Sequence, residues 1–117
     1  NFIHQGVDIK NAERLRIELG WDIRAFSSAI RTSKSSYVRY KKELKPLNTT
    51  LSENAFEIAK VCSFCLDYFE NIERFNIWLN TSSLQFDSKK PLTFIDTIAG
   101  RELIKNTVNR LKYGYNA

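Results

Sequence analysis

Glycine occurs four times and proline twice in the 117 residues. A β-sandwich or barrel needs many tight turns, so this scarcity argues against both. Histidine occurs once, as His4, and cysteine twice. A lone histidine far from any other candidate group cannot assemble a Ser-His-Asp or Cys-His arrangement. No glycine-rich phosphate loop is present, and the carboxylates are scattered along the chain. An enzyme is therefore not expected, and no cofactor is assigned. No apolar run approaches the roughly 18 residues of a membrane span. Residues 1–10 carry no long apolar stretch of the kind a signal peptide needs. With so few cysteines, the expectation is a reducing, cytoplasmic location.

What is present is globular in kind. Hydrophobic residues make up 43%, charged residues 26% and aromatics 13%, the last mostly Phe. The length suits one domain, or two very small ones sharing a core. The net charge of +5 is unevenly placed. Residues 1–50 hold ten Lys/Arg against five acids, whereas 51–117 hold eight against eight. The segment 31–45 alone carries six bases and one acid. Such a cluster fits either a polyanion partner, most often nucleic acid, or a solvated charged face.

The apolar spacing predicts an all-α chain. A helix over 7–19 carries Ile9, Ala12, Leu15 and Leu19 on one face, with Asp8 as cap and Gly20 as stop. Trp21 reads as a core plug. Asp22 caps a helix over 23–30, and Ser33 caps a third that runs to 42 with Tyr37 and Tyr40 inward. Ser52 opens the longest helix, 52–69, which is too apolar to be covered on one side alone. A helix follows over 72–80, with Ile72, Phe75, Trp78 and Leu79 on its inner face. The stretch 81–90 is irregular, 91–96 is a short helix opened by Pro91, Gly100 punctuates, and the last helix spans 101–113 before Gly114. The domain division expected is 1–50 and 51–117, with the helix 52–69 shared.

The segment 22–41 has the layout of a helix-turn-helix: short helix, tight turn, then a second helix able to enter a major groove. Ser27 is small where the two helices touch. Ser35, Ser36 and Arg39 are candidates for the outer face, and Lys34, Lys41 and Lys42 for phosphate contacts. The turn position that usually holds glycine carries Arg31, and Thr32 follows where an apolar residue is usual, which predicts a remodelled turn. The alternative is a helical scaffold with the shape but not the DNA reading. Cys62 and Cys65 share a helix face, but zinc needs more ligands than they supply, so they read as buried structural thiols. Tyr113 and Tyr115 flank Gly114 near the end of the sequence. They make either an ordinary frayed terminus or an aromatic peg for a partner's pocket.

Several of these pieces occur in a familiar order. Phe69-Glu70-Asn71, Trp78-Leu79-Asn80-Thr81, Pro91-Leu92, Asp96-Thr97 with Gly100, and Leu111-Lys112-Tyr113-Gly114-Tyr115 resemble the C-terminal toxin-binding domain of the Xre/MbcA/ParS antitoxins. The segment 22–41 resembles their Xre-like N-terminal domain. Two departures from the family pattern are Glu70, where glycine is common, and the loop 84–90, which lacks the usual glycine.

The resemblance implies a type II antitoxin that pairs with a RES-domain toxin, itself an NAD-consuming or ADP-ribosylating enzyme. The C-terminal domain would bind the toxin and cover its NAD-binding cleft, the NAD belonging to the toxin. The N-terminal unit would bind operator DNA for autoregulation, and the chain would self-associate as a homodimer or a higher assembly with toxin. The toxin-contact candidates are Trp78, Lys89, Lys90, Arg101, Arg110, Lys112, Tyr113, Tyr115, Asn116 and Ala117; Trp78 reads equally as core. The competing expectation is a stand-alone helix-turn-helix transcriptional regulator without a toxin.

Overall fold

Short polar side chains set the helix starts. In the computed structural model, which describes residues 6–114, Asp8 accepts from Lys10 N, Asp22 from Ala25 N and Ser33 from Ser36 N. These caps open α1 (Ile9–Leu19), α2 (Ile23–Ala29) and α3 (Lys34–Glu43). Asn48 Oδ1 accepts Leu51 N at 2.9 Å at the head of α4 (Thr49–Phe69). Asn71 and Thr97 cap α5 (Ile72–Leu79) and α6 (Ile98–Lys112). Each such cap is worth about 1 kcal/mol. Two 3-10 turns, Leu84–Phe86 and Pro91–Phe94, lie between α5 and α6. Among the described residues the helices and turns account for all extended regular structure, as the all-α expectation requires.

Four boundaries differ from the sequence reading by more than one residue. α1 starts after Val7, whose N–H donates to Ser52 Oγ at 2.8 Å instead of entering the helix. α4 starts at Thr49 because Asn48, not Ser52, is the cap. Ser52 is buried, and its hydroxyl donates to Leu47 O at 3.0 Å. The short helix expected over 91–96 is a 3-10 turn ending at Phe94. α6 begins at Ile98, so Gly100 lies in its first turn rather than before it.

Two compact units divide the chain between Ala59 and Lys60, inside α4. In the first, α2 and α1 both pack on α3. Trp21, Phe26, Ile30, Tyr37, Leu47 and Ile58 are buried in its core. Phe26 meets Tyr37 edge-on, with centroids 5.6 Å apart. Tyr40 is only half-buried.

A charged hub joins α1 to α3. Glu13 takes Arg16 Nε at 2.7 Å, Tyr37 OH at 2.7 Å and Lys41 Nζ at 3.0 Å. Arg16 Nη1 also donates to Trp21 O at 2.9 Å. The Arg16 hydrogen bond, aided by those from Tyr37 and Lys41 and opposed by burial, brings the Glu13 carboxyl down to about 2. Burial, with the bond to Glu13, pushes the Tyr37 phenol upward.

In the second unit an aromatic row runs from α4 through α5 to the 3-10 turns. Phe69 lies 5.5 Å from both Phe75 and Trp78, Trp78 meets Phe86 edge-on at 5.8 Å, and Phe86 meets Phe94 at 5.5 Å. Phe75, Leu79, Phe86, Ile95, Ile104 and Val108 are fully buried. Gly100 lets α6 approach the Pro91–Phe94 turn: a Cβ there would stand 1.7 Å from Phe94 O.

Two outcomes test these contacts. Glu13→Gln should lower stability by about 2 kcal/mol in chemical denaturation, the usual worth of hydrogen bonds to a charged group. Because the folded carboxyl is depressed to about 2, its contribution is complete above the ordinary carboxylate pKa. It fades as pH falls from about 4.5 toward 2, so the variant should show a flatter acid limb than the wild type. Gly100→Ala should cost about 3 kcal/mol, since the 3-10 turn must move to admit a methyl group.

Candidate functional site

The second unit presents its exposed apolar and basic residues from three pieces of chain. The first is the α4–α5 corner. α4 ends where Glu70 takes the left-handed conformation, φ 72°, with its N–H donating to Leu66 O at 2.8 Å. The backbone geometry that glycine would favour is thus kept by a glutamate. Beyond it α5 turns Phe75 and Leu79 inward and leaves Ile77 68% exposed. Tyr68, Phe69, Glu70, Arg74, Ile77, Trp78 and Thr81 line an open depression of about 590 Å³. Trp78 is half-buried: it belongs to the aromatic row and also forms part of this wall. Arg74 Nη1 lies 3.4 Å from Glu70 Oε1 at the rim.

The second piece is the loop after α5. Ser83 and Lys89 form an isolated antiparallel bridge. Asp87 and Ser88 both have positive φ, 56° and 60°, and Lys89 N donates to Phe86 O at 2.9 Å. That is the pattern of a type I′ turn, which usually recruits Asn or Gly. It holds Lys89 and Lys90 exposed, with Leu84 86% exposed beside them in the loop.

The third piece is α6. Ile98, its first residue, is 81% exposed. Arg101, expected at the surface, is 6% exposed, and its Nη1 donates to Ile95 O at 3.1 Å. It tethers the chain entering α6 and has little surface to offer a partner. Arg110 is exposed in the last turn. Lys112 Nζ is 2.7 Å from Asp67 Oδ2, which raises the ammonium and lowers the carboxyl. Tyr113 is 67% exposed, and Gly114 follows with φ 80°. The candidates Tyr115, Asn116 and Ala117, like His4, lie outside the described residues.

In the first unit the turn after α2 is not remodelled. Arg31 takes φ 71°. Arg31 N donates to Ser28 O at 3.0 Å and Thr32 N to Ser27 O at 2.9 Å, the paired bonds of a Schellman ending. Ser27, 1% exposed, bonds the Ile23 carbonyl at 2.6 Å. Lys34, Ser35, Arg39 and Lys42 are exposed on α3, and Ser36 is half-buried. Lys41 is half-buried and held by Glu13, so it faces α1 rather than the side shared by Ser36 and Arg39. A groove of about 480 Å³ brings Ser36 and Arg39 together with Arg31, Lys45, Asn48 and Thr50. Sequence reasoning did not select these last four. The signal for Arg31 was its position at the left-handed turn residue.

Cys62 and Cys65 are both buried, and burial pushes the Cys65 thiol up to about 12 and Cys62 further upward. Among the described residues no group of three or more His, Cys, Asp or Glu is placed to hold a metal ion. No helix among them is long and apolar enough to cross a membrane.

Comparison with known proteins bears on the second unit. Residues 66–114 match the family model described as the antitoxin Xre/MbcA/ParS C-terminal toxin-binding domain. The match takes in the α4–α5 corner, the I′ turn and α6. No curated protein matches the chain. A small helical unit held by an aromatic row, with a basic loop and an exposed tyrosine at the end of its last helix, thus coincides with the span that is similar to the Xre/MbcA/ParS antitoxin C-terminal toxin-binding domain.

Proposed function

We propose that this protein is a type II antitoxin that neutralises a RES-domain toxin by covering the toxin's NAD-binding cleft. The observation that carries the reading is the match of 66–114 to a toxin-binding domain. The surface supports it. Ile77, Leu84, Ile98 and Tyr113 are apolar or aromatic and exposed, and Lys89, Lys90 and Arg110 are exposed bases. Apolar side chains among bases suit a cleft that receives the phosphates of a dinucleotide. A stable interface buries about 1,600 Å² in total, so the α5 corner, the loop and the end of α6 would all contribute.

The first unit would bind operator DNA through α3, with Lys34, Ser35, Ser36, Arg39 and Lys42 on the DNA side. The protein would act in the cytoplasm and form a homodimer or a higher assembly with its toxin. The helix-turn-helix-like α2–α3 pair also suits a stand-alone regulator, and a toxin assay separates the two readings.

The test combines the full chain with a RES-domain toxin and follows NAD consumption. Ile77→Asp and the pair Lys89→Glu, Lys90→Glu alter exposed side chains, so stability should stay within about 0.5 kcal/mol of wild type. Inhibition should weaken tenfold or more, because a charge placed in an interface meets an uncompensated desolvation cost. Undiminished inhibition by both variants would remove this surface from the contact. Removing 113–117 should weaken inhibition likewise if the end of α6 reaches the cleft. Trp78→Ala should lose about 3 kcal/mol of stability whatever its role at the interface, so it does not discriminate.

A further inference from the structure

The outer side of α1 carries an apolar strip with an ordered set of charges. Ile17 on α1 and Leu44 at the end of α3 are 65% and 67% exposed. Both line a shallow groove of about 410 Å³ whose rim includes Lys10, Arg14 and Glu18. These three charged residues are exposed. Glu13 and Lys41, also at the groove, hold each other at 3.0 Å. Leu44 ends α3 with φ 52°, a left-handed conformation that glycine would take at less cost. A strained corner that offers an apolar side chain to water suits a surface that something covers.

The order of the charges indicates what covers it. Lys10, Arg14 and Glu18 are spaced by four residues, so they follow one another along one side of α1. Their signs run positive, positive, negative from the N-terminal end. A second α1 laid parallel would set like charges side by side. Laid antiparallel about a two-fold axis level with Arg16, it sets Arg14 opposite Glu18 of the second copy, and Glu18 opposite Arg14 of that copy. Residue 17 lies one rise of about 1.5 Å from this axis, so the two Ile17 side chains meet between the ion pairs. The neighbouring register, with Lys10 opposite Glu18, would press Arg14 against Arg14. The strip is therefore complementary to itself, which is what an isologous contact requires.

We propose that this face of α1, with Leu44 beside it, is the contact between two copies of the chain. It gives a surface to the homodimer proposed above and rests on that reading, not on the identity of the toxin. The 11 residues of α1 run about 16 Å, which puts the contact at the small end of interface sizes. The dimer is accordingly weak, and its ion pairs are open to screening by salt. The groove shares no residue with the one lined by Ser36 and Arg39. Pairing through α1 thus leaves that side of α3 uncovered.

Sedimentation equilibrium of the full chain, over a range of protein concentration and salt, gives the dimer dissociation constant. Arg14→Glu and Glu18→Arg each set two pairs of like charges across the axis and should weaken the dimer about tenfold. The double variant exchanges the signs and should return to within about threefold of wild type. Its recovery separates pairing across the axis from damage to the fold, and far-UV circular dichroism should show unchanged helix content in all three. Raising the salt should weaken wild type and the double variant alike. Wild type that dimerises, with single variants that pair as tightly, would overturn this surface and leave the homodimer reading intact. Single variants that weaken the dimer without recovery in the double variant would overturn the antiparallel pairing. Unchanged self-association with weaker toxin inhibition would assign the strip to the toxin and overturn the contact between copies. If wild type stays monomeric at every concentration, the surface and the homodimer reading fail together, while toxin inhibition by the same protein still tests the antitoxin reading.

Discussion

The chain changes direction through left-handed residues, and most of them are not glycine. Arg31, Leu44, Glu70, Asp87 and Ser88 all have positive φ, and so do Gly20 and Gly114. Each corner that places a candidate surface depends on one of them. Arg31 sets α3 against α2, Glu70 turns α4 into α5, and Asp87-Ser88 closes the loop that carries Lys89 and Lys90. Each costs backbone energy that neighbouring contacts must offset. At Arg31 the offset comes from the Schellman bonds and the Asn54 amide. At Asp87-Ser88 it comes from Phe86, whose ring is buried between Trp78 and Phe94.

The two units solve the problem of a small core differently. The first relies on a charged hub: Glu13 gathers Arg16, Tyr37 and Lys41 and so fixes the angle at which α3 meets α1. The second relies on ring packing, with Phe69, Phe75, Trp78, Phe86 and Phe94 in continuous contact. Ring packing of this kind tolerates salt and pH, whereas the Glu13 hub responds to acid. The candidate surfaces inherit these supports, since α3 stands on the hub and the basic loop stands on Phe86.

Much of the fold was legible because helix caps and apolar spacing act locally. Asp8, Asp22 and Ser33 were recognisable by residue type and place. The errors arose where a local rule met a tertiary demand. Ser52 has the type of a cap but is consumed by Val7 and Leu47, which are distant in sequence or sit behind it. Gly100 has the type of a stop but serves close approach to Phe94. Arg101 carries a charge that suggests surface, yet the Ile95 carbonyl needs a donor, and nothing in the residue order shows that need. The I′ turn at Asp87-Ser88 lacks the Asn or Gly that would have marked it. Of the candidate surface, Lys89, Lys90, Arg110 and Tyr113 were visible as exposed types. Ile77 and Ile98 were not: Ile77 was simply left off the inner face of its helix, and Ile98 fell between the expected helices 91–96 and 101–113, where nothing in the spacing marked it as exposed helix.

The contact at Gly100 has a mechanical consequence. With no side chain between them, α6 and the Pro91–Phe94 turn touch backbone to backbone, so neither has slack to move alone. A push on the basic loop just ahead of Pro91 would be carried through that junction to α6. Its far end, some fifteen residues on, bears Arg110, Lys112 and Tyr113. Because Ile104 and Val108 are buried and Lys112 holds Asp67, the helix is fixed along its length, so the basic loop and Tyr113 are presented as parts of one stiff body.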